Sequence, residues 1–121
     1  MKRAVYFAVA ALSFLLLAGG FRVGVNAIFS IAASEENTIL MERMARLGAN
    51  VNQTEDINGT GNERSELDFA IEGNKIETVK KLLELGADCE AIDEQISNAQ
   101  GEGFHEIARI LKQHKASKLN P

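Results

Sequence analysis

Three columns of apolar residues recur in a single register, and this constrains the fold more than any other feature. Ala32, Ala70 and Ala99 are separated by 38 and then 29 residues. The same two intervals separate Phe29, Leu67 and Ile96, and again Met44, Leu82 and Leu111. A chain that satisfies three columns with one alignment contains three copies of one unit, the first lengthened and the second shortened.

The central copy, Ser65 to Asp93, carries the clearest local signals. Ser65 and Asp68 form an N-cap with a capping box, which predicts a helix from Glu66. Leu67, Ala70 and Ile71 share one face until Gly73 and Asn74 supply a turn. A second helix is expected from about Lys75 to Leu85. It sets Ile76, Val79, Leu82 and Leu83 against Glu77, Lys80, Lys81 and Glu84, with Gly86 in the left-handed position that ends a helix. Helices this short are marginal alone, so each pair needs a neighbour to cover its apolar face. The flanking copies, Asn26 to Asn52 and Asp93 to His114, supply those neighbours.

The chain resembles the ankyrin repeat family, whose units of about 33 residues are a turn plus two helices. The resemblance rests on Leu67, Ala70, Glu77, Val79, Leu82, Leu83 and Gly86-Ala87-Asp88 in the central unit. Ala32, Ala33 and Gly48-Ala49-Asn50-Val51-Asn52 carry it in the first. It implies an all-α solenoid of about three helix-turn-helix repeats, at about 27–59, 65–93 and 94–114, within a domain spanning 26–114. The family's Thr-Pro-Leu-His opening is replaced by Ala-Ile-Phe-Ser at 27–30, Ser-Glu-Leu-Asp at 65–68 and Glu-Gln-Ile-Ser at 94–97. Loss of the proline and histidine implies weaker hydrogen bonding between units. Tetratricopeptide repeats have a similar period, but their tryptophan and proline pattern is absent.

Residues 1–25 read as a signal peptide or an N-terminal membrane anchor. Lys2 and Arg3 precede an uncharged apolar run from Ala4 to Ala18. Small-residue cleavage options are Ala18-Gly19-Gly20 and Val25-Asn26-Ala27, and the second would remove the N-cap of the first unit. If the segment is retained, residues 4–20 give membrane association. Either way the basic start places the units outside the cytoplasm, periplasmic or secreted if cleaved, anchored in the inner membrane if not. Removing Lys2, Arg3 and Arg22 from 13 basic residues leaves 10 against 17 acidic ones, a net charge of about −7. Such a surface argues against nucleic acid as a partner.

Chemistry is scarce. Cys89 is the one cysteine and falls in the column of Val51, which makes it a small hydrophobe. His105 and His114 have no metal-site spacing, and no phosphate-binding loop follows a strand. The reading is therefore not an enzyme, with no cofactor and no metal. Residues 115–121 read as a frayed basic tail.

The polar connection from Val51 to Arg64 is where the family projects a hairpin finger, and Asn58-Gly59 signals a tight two-residue turn. Its charges Glu55, Asp56, Glu63 and Arg64 are candidate partner contacts. By the resemblance, so are Ser34, Glu35, Glu72 and Gly73, just after the small residues of the first helices. Phe69 is a candidate apolar anchor, with core packing the competing role. These features describe an exported protein-binding module, monomeric when unbound, such as an inhibitor or immunity protein that neutralises a secreted toxic enzyme. The alternative is a membrane-associated scaffold or chaperone for a periplasmic enzyme.

Overall fold

Local capping sets the helix start at Glu66. The Ser65 hydroxyl accepts from the Asp68 amide at 3.1 Å while the Asp68 carboxylate accepts from the Ser65 amide at 3.0 Å, closing the capping box at the expected place. A computed structural model describes residues 21–119. The apolar run Ala4–Ala18, its nearest cleavage option and residues 120–121 lie outside the described residues. Six helices and one hairpin follow in order: α1 (Phe21–Ser34), α2 (Thr38–Arg46), β1 (Thr54–Asp56), β2 (Glu63–Ser65), α3 (Glu66–Glu72), α4 (Ile76–Glu84), α5 (Ile92–Gly101) and α6 (His105–Leu119). The fold is mostly helical with a small two-stranded antiparallel sheet. Among the described residues no helix is long and apolar enough to cross a membrane.

Consecutive helices pack as pairs, α1 with α2, α3 with α4 and α5 with α6. The pairs stack so that α1, α3 and α5 form one row and α2, α4 and α6 another. The sequence register is written into the backbone. The carbonyls of Ala32, Ala70 and Ala99 accept from the amides of Asn37, Lys75 and Phe104 at 2.9, 2.9 and 2.8 Å. The residue before each of these donors has positive φ: Glu36 at 56°, Asn74 at 53° and Gly103 at 78°. After the second helices, the carbonyls of Met44 and Leu82 accept from Ala49 and Ala87, both at 2.9 Å, beside left-handed Gly48 and Gly86. All three apolar columns are buried between the rows.

Glu36 is the one position among these turns where a bulky side chain holds the left-handed conformation. That conformation costs an L-residue with a β-carbon roughly 1–2 kcal/mol, partly offset by the greater freedom glycine has when unfolded. Glu36→Gly is therefore expected to stabilise the protein by about 0.5–1 kcal/mol, read from thermal or urea unfolding. A destabilised variant would contradict the turn geometry.

Three expectations are corrected. The first helix begins at Phe21, so Asn26 and Ala27 lie inside it and not at an N-cap, and Val25 is buried in the core. The hairpin does not turn at Asn58-Gly59. Its register pairs Thr54 with Ser65, Glu55 with Arg64 and Asp56 with Glu63, leaving a six-residue loop at 57–62. That register sets Glu55 opposite Arg64, whose ion pair goes to Glu72 on α3, and sets two like charges, Asp56 and Glu63, across from each other. The tail is helical to Leu119, and Lys115 Nζ lies 2.5 Å from Asp93 Oδ1 on α5.

Hydrogen bonds join the helix pairs although the proline and histidine are missing. Ser30 Oγ donates to Glu66 Oε1 at 2.5 Å, and Gln95 Nε2 donates to Asp68 Oδ1 at 3.0 Å. In both cases the fourth residue of one four-residue opening bonds the second residue of the next. Buried Thr78 adds a bond from its hydroxyl to the Ala33 carbonyl at 2.6 Å. The Asn52 side chain also accepts from the Asp88 amide at 2.7 Å, tying the connection after α2 to the one after α4.

Candidate protein-binding face

The row formed by α1, α3 and α5 carries two grooves, one on each side of α3. Helix α3 is only seven residues long and buries Leu67, Ala70 and Ile71. Its remaining side chains face the gaps toward α1 and α5.

The first groove, about 280 Å³, lies toward α1 and contains Ser34, Glu55 and Phe69 of the expected residues. Phe69 is half-buried and does not belong to the core cluster, in contrast to fully buried Phe29 and to Phe104, which packs on the core. The Phe69 ring shares the groove with Ala33, Ala70 and Lys75, an apolar floor with one cation at its margin. Ser34 is exposed, and its hydroxyl donates back to the Ile31 carbonyl at 2.8 Å.

The second groove, about 620 Å³, lies toward α5 and contains Arg64 and Glu72. These two form an ion pair that joins β2 to the end of α3. The Arg64 side chain is 27% exposed, so the pair is a partly shielded tether between the hairpin and α3 rather than a free rim charge.

Glu35, Asp56, Glu63 and Gly73 are exposed and line neither groove. Asp56 has a local task. Its carboxylate accepts from the Gly61 amide at 2.9 Å and the Thr60 amide at 3.2 Å, which closes the hairpin loop. The Gly61 amide, aided by those of neighbouring loop residues, holds the Asp56 carboxyl below the usual aspartate range. At Gly73 an added β-carbon would sit 3.3 Å from the Phe69 carbonyl, so this turn favours glycine for packing rather than for a contact.

The sequence reading missed Ser30, Glu66, Asp68 and Gln95 as the polar links along this face. The signal was available: each of these residues stands in one of the four-residue openings, where a polar group replaces the family's proline or histidine. Burial pushes the Cys89 thiol up, away from the thiolate needed for nucleophilic or redox chemistry. Burial, aided by Lys118, holds His114 below the usual histidine range. Among the described residues no group of three or more His, Cys, Asp or Glu is placed to hold a metal ion. In comparisons with known proteins, no protein-family model, no curated protein and no solved structure matches this chain.

Proposed function

We propose that the chain is an ankyrin-type solenoid of three units that acts outside the cytoplasm as a protein-binding module, gripping its partner along the α1, α3 and α5 row and the hairpin. The observation that carries this reading is Phe69, a half-buried aromatic ring lining a groove between α1 and α3. Aromatic residues in such positions are the usual anchors of protein interfaces. A half-buried ring outside the core cluster, beside a hairpin carrying Glu55 and Arg64, suits recognition better than catalysis. The acidic surface and the export-type N-terminus fit an inhibitor or immunity protein for a secreted toxic enzyme. A scaffold for a periplasmic enzyme is the second reading, favoured if the Ala4–Ala18 segment is retained as an anchor.

Site-specific photo-crosslinking in the native cell tests the proposal. A benzophenone side chain at position 69 of the full-length chain is expected to capture one discrete protein, while the same group at Lys80, exposed on α4, captures none. Equal capture from both positions, or none from position 69, would contradict it. Blockage of the captured protein's activity by the purified chain separates the inhibitor from the scaffold.

A further inference from the structure

The groove between α1 and α3 carries opposite charges at its two ends. Helix α3 runs along it for seven residues, roughly 10 Å at about 1.5 Å per residue. Two carboxylates stand where α3 starts, those of Glu66 and of Glu55 in the hairpin. Lys75 stands past its end, and Phe69 and Ala70 lie on the helix between them.

Internal partners do not cancel these charges. The hairpin register sets Arg64 opposite Glu55, but the Arg64 guanidinium pairs with Glu72 on the other flank of α3, which leaves Glu55 in no ion pair among the described residues. Glu66 Oε1 accepts from the Ser30 hydroxyl at 2.5 Å, a neutral donor. Lys75 is half-buried, and its stem packs over the turn after α3, where a β-carbon at Gly73 would sit 3.3 Å from Lys75 Cγ. Its ammonium has no ion pair among the described residues. The hydroxyls of Ser34 and Thr78, by contrast, are satisfied by the Ile31 and Ala33 carbonyls.

Unbalanced negative charge at one end and positive charge at the other select a ligand of the reverse polarity, because like charges brought together at either end disfavour any other arrangement. An extended chain rises about 3.3 Å per residue and turns alternate side chains to one face. A residue and its second neighbours on each side therefore share a face over roughly 13 Å. That span suits two long charged side chains reaching the ends of this groove while the middle residue meets Phe69.

We infer that the groove receives an extended segment of the bound protein in which an apolar residue is flanked, two positions away on either side, by a cation seated at Glu55 and Glu66 and a carboxylate seated at Lys75. This rests on the protein-binding reading and deepens it by fixing what surrounds the group that meets Phe69.

The test uses short peptides in place of the partner. Isotopically labelled full-length chain in zwitterionic micelles is titrated with acetyl-Arg-Ala-Leu-Ala-Glu amide and with two analogues, one with glutamine for the arginine and one with glutamine for the glutamate. Saturable NMR shifts are expected at the backbone amides of Ser34, Phe69 and Lys75. Each analogue should bind about fivefold more weakly, the size of one exposed charge pair. Lys75→Gln should weaken the parent peptide by a similar factor and leave the analogue without glutamate unchanged, and Glu55→Gln should stand in the same relation to the analogue without arginine. The Lys75 side chain makes no cap bond to α4, so its replacement spares the fold. Equal binding of all three peptides, a loss from Lys75→Gln that is the same for every peptide, or no saturable shift would overturn the inference. Those results defeat the charge pattern alone, whereas failure to crosslink from position 69 defeats the protein-binding reading.

Discussion

Replacing Leu82 with Ala is expected to destabilise the protein by about 2–5 kcal/mol, the range for truncating a buried leucine in a core that cannot collapse around the cavity. Leu82 is fully buried on α4, the middle helix of its row, with α2 packed on one side and α6 on the other. A cavity there loosens both junctions at once. Small domains hold only about 5–15 kcal/mol in total, so the variant should melt far below the parent or be partly unfolded at room temperature. Circular dichroism through a urea or thermal transition measures this. Leu47→Ala serves as control: Leu47 is 49% exposed, and a surface substitution of this kind should change stability by no more than about 0.5 kcal/mol. An unchanged transition for Leu82→Ala would show that α4 does not sit between the other two pairs.

Phe69→Ala should have the opposite profile. Truncating a central aromatic anchor typically costs about 2 kcal/mol or more of binding energy, roughly a 30-fold loss of affinity. Phe69 is half-buried and outside the core cluster, so the melting temperature should move by a few degrees at most. Calorimetric titration of parent and variant against the protein captured by crosslinking gives the ratio. A large fall in stability would return Phe69 to a packing role. Unchanged affinity with unchanged stability would move the anchor elsewhere on the face.

The turns at Gly73-Asn74 and at Gly86 were legible because backbone geometry enforces them. Asn74 and Gly86 hold left-handed conformations where the chain folds back onto the Ala70 and Leu82 carbonyls. The hairpin register did not show in the same way. Asn58-Gly59 is a strong local turn signal, but the glycines at 59 and 61 and the Asp56 carboxylate build a wider loop that lets Glu55 face Arg64. The hold of the Asp56 carboxylate on the Thr60 and Gly61 amides replaces the tight turn that the dipeptide favours. The true start of α1 was hidden by the export-type composition before it, although Val25, Ile28, Phe29 and Ala32 continue one helical face.

The candidate site was only partly legible for a similar reason. Ser34, Phe69 and Glu72 do fall at the grooves, because their positions follow from the helix register. Which loop charges are free depends on hydrogen bonds that the sequence does not display. Asp56 turns inward to the loop amides and Arg64 is tethered to Glu72, while Gln95, which reads as a polar surface residue, is buried against Asp68.

Hydrogen–deuterium exchange of the full-length chain, alone and saturated with its captured partner, tests the binding face most directly. The predicted result is slowed exchange in the hairpin from Thr54 to Ser65, the end of α3 and α5 around Asn98, with α2, α4 and α6 unchanged. Slowed exchange confined to α2, α4 and α6, with the hairpin and α3 unaffected, would place the partner on the opposite side of the molecule and contradict the account.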